Sequence, residues 1–508
     1  MDAGAGAGRL RPVGEEIATE RFEAADYARF GLRLREEIAA FGELLRRPGF
    51  GDGPPSVGAE LELSLVDRSW EPAPVNAQVI RDVADDCFAL ELDRFNVECD
   101  SGATPLAGRP FTRIADDLRG RLDRLSAAAA VHGARPVMVG ILPTLTPADL
   151  GPDALSDSPR FRALSTALRR LRDDPFHVRI SGAEPLDVRW EDVSLEGAAT
   201  AWHLHLRVPP ERFADTFNAA QAAGAVALAV SGNSPLLLGH LLWEETRVPL
   251  FHQAVDDRAE ATAAWRPSRA SFGHGWVQSG AAELFAQAAV LHAPILPVVK
   301  DGQEDPVAAV RRGEVPGLDA MRLHQGTVWS WTRPVFSPGP DPHLRIELRA
   351  LPSGPTVADM AATSAFLVGL TLVLTEDPDH LTTALPFDLA RRNFYAAARV
   401  GLGATLLWPS RDPPSPRPHA APDLVAALLP DVRRALVGTG VDETEADAHL
   451  AIVAERARTG LTGAAWQRRS LARLELELPR AEALPALLAA YQERAEGGAP
   501  VHTWSLAG

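Results

Sequence analysis

The sequence predicts an α+β fold: a mostly antiparallel sheet with flanking helices, followed by a helical C-terminal region. Two patterns carry that prediction. Short segments alternate apolar and polar residues with period two, the mark of half-buried strands, and longer ones repeat apolar residues at three- and four-residue spacing, the mark of amphipathic helices. The two kinds interleave without a regular βαβ rhythm, and no Gly-x-Gly-x-x-Gly follows a strand, which disfavours a doubly wound parallel sheet.

Residues 1–50 read as an N-terminal helical segment. After the low-complexity run Ala3 to Gly8, a helix is expected from Glu20 to about Arg47, where Phe22, Tyr27, Phe30, Leu34, Ile38, Phe41 and Leu44 recur at helical spacing. A Gly/Pro-rich break at Gly51 to Pro55 opens the predicted core, residues 51–407. Its first strand is Val57 to Asp67, and further strands are expected at Arg135 to Ile141, Trp202 to Val208 and His343 to Leu351. Helices are expected at Ile114 to Val131, Phe161 to Leu171, Phe213 to Val230 and Val357 to Leu374. Trp408 to Pro422 is dense in proline and reads as an extended linker or edge loop, residues 408–422. Beyond it, residues 423–508 read as helices at Asp423 to Leu436 (broken or restarted at Pro430), Glu443 to Arg458 and Ala481 to Tyr491, forming a cap or small subdomain.

Composition excludes several functions. The longest apolar runs, such as Ala223 to Val230 and Phe366 to Leu374, are shorter than the roughly 18 residues of a membrane span and read as buried helices. Two cysteines, Cys87 and Cys99, give no disulfide framework; with no visible targeting segment, a cytoplasmic protein is expected. Both read as buried small apolar groups. A net charge of −16 opposes binding to nucleic acid or anionic membrane. Lys300 is the sole lysine and lies between Val299 and Asp301, which rules out a Walker-type Gly-Lys-Ser/Thr loop. Phosphate or carboxylate must therefore be held by arginine, histidine, metal or backbone.

The informative feature is what the strands carry on their polar faces. Side chains two apart share a face, so Glu60, Glu62 and Ser64 point together while Leu61, Leu63 and Leu65 face the core. From Phe88 to Cys99, Glu91 and Asp93 oppose Leu90 and Leu92, and after a kink at Arg94 the pair Asn96 and Glu98 opposes Phe95, Val97 and Cys99. Trp202 to Val208 puts His203, His205 and Arg207 on one face; Leu344 to Ala350 does the same for Arg345, Glu347 and Arg349. A solvated face mixes Lys, Thr, Ser and Gln, whereas these strands offer carboxylate, imidazole and guanidinium. Carboxylates with histidine suit Mg²⁺ or Mn²⁺ bound through phosphate, and Arg345 and Arg349 between them suit bidentate contact with phosphate or a carboxylate. Together they describe a site that holds a metal–triphosphate beside a carboxylic acid, where a carboxylate oxygen attacks the γ-phosphoryl group in line.

At these residues the sequence resembles the glutamate–cysteine ligase and carboxylate–amine ligase family, relatives of glutamine synthetase in fold. The matching pieces are Gly58 to Asp67, Glu91 to Glu98, His203-Leu204-His205, Gly232-Asn233-Ser234-Pro235 and Arg345 to Thr356, in order over about Val57 to Leu402. The resemblance implies a curved antiparallel sheet whose concave face binds ATP and Mg²⁺, and a γ-glutamyl phosphate captured by the amine of cysteine. It implies metal ligands at Glu60, Glu62, Glu91, Glu98, His203 and Glu347, with His205 close by. Glu347 and Arg349 are then the expected catalytic pair, with Arg349 on phosphate or on the glutamate carboxylate. Arg247 is a further candidate for cofactor or substrate contact, the alternative being plain helix surface, and the Asn233-Ser234-Pro235 turn has a structural alternative.

The expected partners are thus small molecules: ATP, glutamate, and cysteine or another amine. The same groups also suit a metal-dependent phosphotransferase that stops at the phosphorylated acid, or a non-catalytic ATP- or amino-acid-sensing relative. His324 and Trp329-Ser330-Trp331 read either as core or as residues near the mouth of the site.

Overall fold

The computed structural model of the chain describes residues 17, 19–259, 262–300 and 302–507, so the low-complexity run Ala3 to Gly8 lies outside the described residues. The strands, in chain order, are β1 (Ser56–Val66), β2 (Phe88–Leu90), β3 (Asn96–Asp100), β4 (Thr104–Pro105), β5 (Arg135–Val137), β6 (Phe176–Ser181), β7 (Pro185–Trp190), β8 (Trp202–Val208), β9 (Leu236–Leu237), β10 (His240–Leu241), β11 (Thr332–Ser337), β12 (His343–Leu348), β13 (Thr405–Arg411) and β14 (Pro414–Ala420). Eight form one sheet in the order β11-β12-β8-β1-β3-β2, with β4 and β5 pairing with the opening and closing residues of β1. Every pairing is antiparallel, and the sheet curls into a half-barrel.

Register then decides what meets what, because directly paired residues share a face. Arg333 pairs with Glu347, which pairs with His205, which pairs with Gly58. One step along, His203 pairs with Glu60 and Glu60 with Asp100; one step further, Glu62 pairs with Glu98. The opposite face holds Leu344, Ile346, Leu204, Leu206, Ala59, Leu61 and Val97, all buried. Helices Phe213–Ala229 and Val357–Thr375 pack under this apolar face and against each other. Val357–Thr375 is itself long and apolar enough to cross a membrane, longer than the run Phe366 to Leu374 suggested, and most of it is buried inside the fold.

The expected helices at the N-terminus and in the core are present, as Ala24–Leu44, Pro110–Val131, Pro159–Arg172, Phe213–Ala229 and Val357–Thr375. Three segments differ. The Pro-rich stretch is a two-stranded hairpin, β13 with β14, rather than a linker. Pro414, Pro416 and Pro418 recur with period two, so they occupy equivalent pair positions, and a two-stranded ribbon has an outer edge where a missing N–H costs no ladder bond. Helix Ala421–Gly438 runs unbroken through Pro430; Ala426, whose carbonyl loses its helical donor there, is an exposed residue. The strand expected at Arg135 to Ile141 ends at Val137.

The C-terminal helices belong to the main body. Ala421–Gly438 and Glu443–Thr459 pack on Val357–Thr375, while Gly463–Leu474 and Arg480–Glu496 enclose a second apolar core. There Trp466, Tyr491 and Trp504 meet edge to face, against Val66, Val137 and Ile180.

Candidate active site

The polar face of the sheet gathers the carboxylates and imidazoles that the strand alternation predicts. Three overlapping sets each hold donor atoms within 4.8 Å of one another: Glu60, His203 and Glu347; Glu60, Glu98 and Asp100; Glu62, Glu91 and Glu98. Glu91 lies just past the end of β2, where the loop carries it beside Glu62 and Glu98. His203 Nδ1 is 3.6 Å from Glu60 and 3.7 Å from Glu347, and its Nε2 is 3.7 Å from Glu62. His205 Nε2 stands 2.9 Å from Glu60 Oε1, yet the two are misaligned for a hydrogen bond, so both atoms are buried without a hydrogen-bond partner.

Guanidiniums border this cluster. Arg333 holds Glu347 with two contacts, Nε to Oε2 at 2.5 Å and Nη2 to Oε1 at 2.9 Å, and Arg349 reaches the same Oε1 at 2.6 Å. Arg345 is buried, donates to Ser337 Oγ at 3.0 Å, leaves its Nε without a partner, and feels Glu60, Glu347 and Asp100. Arg247 is also buried, not on the helix surface. It pairs with Glu245 at 3.0 Å, donates to the backbone oxygens of Ala350 and Arg349, and lies close enough to act on Glu62. Glu245 in turn accepts from Asn233 N and Ser234 Oγ, which gives the Asn233-Ser234-Pro235 turn a role in fixing Arg247.

The site carries surplus negative charge. Burial, with Glu91 alongside, pushes Glu62 up to about 8, and burial beside Glu60 does the same to Asp100. Burial, then Glu60 and Asp100, also drive Glu98 well above the usual carboxylate range. Glu60 and Glu347 go the other way: burial opposes their ionisation, but His205 and His203 outweigh it at Glu60, and Arg333 and Arg349 do so at Glu347. Burial and Arg349 lower His203 to about 4, so its imidazole is neutral near pH 7, the form that ligates metal. Oxygen-rich donor sets with a neutral imidazole, an orphaned Glu60 oxygen and carboxyls that resist ionising without a cation fit Mg²⁺ or Mn²⁺.

A cavity of about 780 Å³ opens at the arginine end of this face. Arg207, Arg333 and Arg345 line it on one side, and Phe285, Val335 and Phe336 are among its apolar walls. Arg207 is fixed at its rim by Asp341 at 2.5 and 2.9 Å.

Sequence reasoning missed Arg333, Asp100 and Glu245. Asp100 continues the alternation of Asn96 and Glu98 by one step, so its signal was present. Arg333 gave none, because β11 contains Pro334 and lacks a charged alternation. Trp331, packed on Phe251 and Phe394, and His324, near Phe30, are buried core, whereas Trp329, packed on Phe251, and Ser330 are half-buried. Cys99 is buried and Cys87 half-buried, and burial raises both thiols.

The family described as glutamate-cysteine ligase family 2 matches residues 56–494. The chain belongs to this family. That membership makes it a carboxylate–amine ligase. A search of curated proteins finds no match. Among solved structures, the fold is shared with glutamate–cysteine ligase from Francisella tularensis in complex with AMP, at 12% identity and a TM-score of 0.54, covering 90% of this chain and 91% of that one. A bifunctional glutathione synthetase from Pasteurella multocida aligns at 9% identity and a TM-score of 0.49, covering 94% of this chain and 54% of that one.

Proposed function

We propose that this family member is an ATP- and Mg²⁺-dependent ligase that phosphorylates the γ-carboxylate of glutamate and joins the resulting acyl group to the amine of cysteine. The observation that carries the reading is the meeting of three overlapping metal-donor sets with Arg333, Arg345 and Arg349 beside a cavity of about 780 Å³. That volume is within the range of small-molecule sites, roughly 300–1,000 Å³, and the AMP in the Francisella relative supports a nucleotide ligand.

In this reading the apolar walls at Phe285, Val335 and Phe336 hold the base, while Arg345 and Arg333 face the phosphates. Glu60, Glu62, Glu91, Glu98, His203 and Glu347 would hold the divalent cations, with His205 beside Glu60. A divalent cation held by these residues would supply positive charge against the triphosphate and the transferred phosphoryl group. Arg349, already balanced against Glu347, orients the acid so that one carboxylate oxygen lies in line with the γ-phosphorus. The bond from that oxygen to phosphorus forms as the bond to ADP breaks. The amine, in its neutral form, then attacks the acyl carbon, the bond from carbon to the phosphoryl oxygen breaks so that phosphate leaves, and the nitrogen gives up a proton to solvent. Arg247, anchored by Glu245, supports the Arg349 backbone from behind.

The test is ADP release by the purified protein with Mg²⁺-ATP and glutamate, with and without cysteine, repeated on Glu347→Gln and in excess chelator. ADP formed only with both amino acids, and lost in the variant and with chelator, is the expected result. ADP release from ATP and glutamate that cysteine does not change would instead mark a phosphotransferase.

A further inference from the structure

The C-terminal helices take no part in the chemistry above, yet two of them reach one buried side chain behind the site. Asn233 is wholly buried. Its Nδ2 donates to Ser353 O at 2.7 Å and to Tyr491 Oη at 2.8 Å, and its Oδ1 accepts from Gln467 Nε2 at 3.0 Å. Gln467 lies on helix Gly463–Leu474 and Tyr491 on helix Arg480–Glu496, and both are buried. Tyr491 Oη is itself fixed, donating to Met138 O at 2.8 Å. Gly463 permits the close approach, because a Cβ there would overlap Asn233 Oδ1.

Two arms lead from Asn233 into the site. The first runs through Ser353, whose Oγ donates to Glu62 O at 2.8 Å and whose N donates to Thr200 O at 3.2 Å. The next amide along, Ala201 N, donates to the Glu62 carboxylate at 2.7 Å. Glu62 is therefore held at its backbone and at its carboxylate by segments that Asn233 pins. The second arm runs from Asn233 N to Glu245 at 2.9 Å, from Glu245 to Arg247 at 3.0 Å, and from Arg247 to Arg349 O at 3.4 Å. Buried polar groups are costly to leave unpaired, so each link fixes the next.

We propose that Tyr491 and Gln467 are positioning residues of the site: through Asn233, the C-terminal helices set where Glu62 and Arg349 stand. Neither residue touches substrate. Partners behind a metal ligand govern its orientation and hence the affinity for the ion. The proposal rests on the ligase reading for the role of Glu62 and Arg349, and it assigns the C-terminal region a part in that chemistry.

The experiment uses the full chain and three variants. Tyr491→Phe removes the hydroxyl and keeps the ring, and Ser353→Ala cuts the link to Glu62. Trp504→Phe perturbs the same aromatic core while removing no hydrogen bond of Asn233; Trp504 Nε1 donates to Ala499 O instead. Mn²⁺ affinity is titrated by electron paramagnetic resonance without nucleotide, KM for glutamate is read from ADP release with Mg²⁺-ATP and cysteine, and melting temperature is recorded for each. Loss of one buried hydrogen-bonding group should weaken Mn²⁺ binding and raise KM for glutamate roughly three- to tenfold in Tyr491→Phe. Ser353→Ala should weaken Mn²⁺ binding about tenfold, and the double variant should lose no more than the larger single, since both break one chain. Trp504→Phe should melt earlier with both quantities within about twofold of wild type. Unchanged Mn²⁺ affinity in Tyr491→Phe, an equal loss in Trp504→Phe, or losses that multiply in the double variant overturn the positioning role and leave the ligase reading standing. Because the Mn²⁺ titration needs no turnover, a wild type that releases no ADP would remove the ligase reading while the titration still decides whether Tyr491 sets Glu62.

Discussion

Replacing Arg333 with methionine isolates the contact that organises the site and that the sequence did not disclose. Glu347 is fully buried and is neutralised by two guanidiniums, Arg333 through two contacts at 2.5 and 2.9 Å and Arg349 through one at 2.6 Å. Breaking a buried ion pair by removing one partner costs about 3–5 kcal/mol, because the other charge is left without compensation. Arg349 still covers Oε1 in the variant, so the lower end applies, and we expect ~3 kcal/mol of lost stability. Urea denaturation of wild type, Arg333→Met, Glu347→Gln and the double variant measures it. Since Glu347→Gln removes the charge that Arg333 neutralises, the double variant should lose less than the sum of the singles, with a coupling of about 2 kcal/mol. Arg333→Met within about 0.5 kcal/mol of wild type, a change typical of unimportant surface sites, would refute the view that Arg333 holds Glu347 in place.

Two further outcomes follow from the packing. Burial lowers His324 to about 4 in the folded chain against the ordinary 6.5, and lowers His292 further, to about 2. The unfolded chain therefore takes up these protons first as pH falls. The contribution of these two histidines is therefore full above about 6.5 and declines toward pH 4, by up to ~3 kcal/mol for His324 alone; urea midpoints across that window should be flatter in His324→Gln, and parallel curves would contradict this. Gly369→Ala sets helix propensity, which gains ~1 kcal/mol, against sterics: the new Cβ would lie 2.7 Å from Val432 Cγ1 and 2.9 Å from Leu436 Cγ. Overpacking of a well-filled core costs about 1–3 kcal/mol, so we expect a lower melting temperature, and a higher one would show that the two helices separate freely.

What the sequence disclosed depended on local alternation. Glu60, Glu62, His203, His205 and Glu347 lie on strands whose apolar residues fix the face by period two, so their convergence was legible once the strands were taken as neighbours. Arg333 was not, because its strand is recognised only through its register with β12. Glu245 lies outside the main sheet and reaches the site through tertiary packing, which leaves no periodic trace. The proline hairpin is a different case: Pro414, Pro416 and Pro418 carry a period-two signal of their own, and reading prolines only as breakers concealed it. The buried Arg247 shows the converse, since its short helix Arg247–Ala254 is buried over most of its length and surface could not be told from interior by pattern.

The central claim is that a carboxylate is activated as an acyl phosphate on the polar face of this sheet. The most direct measurement is oxygen-isotope transfer: glutamate labelled with oxygen-18 in its γ-carboxylate is turned over with Mg²⁺-ATP and cysteine, and the released phosphate is analysed by mass spectrometry. The account predicts one labelled oxygen in each phosphate released, because the attacking carboxylate oxygen leaves with the phosphoryl group. Turnover that releases unlabelled phosphate would contradict it.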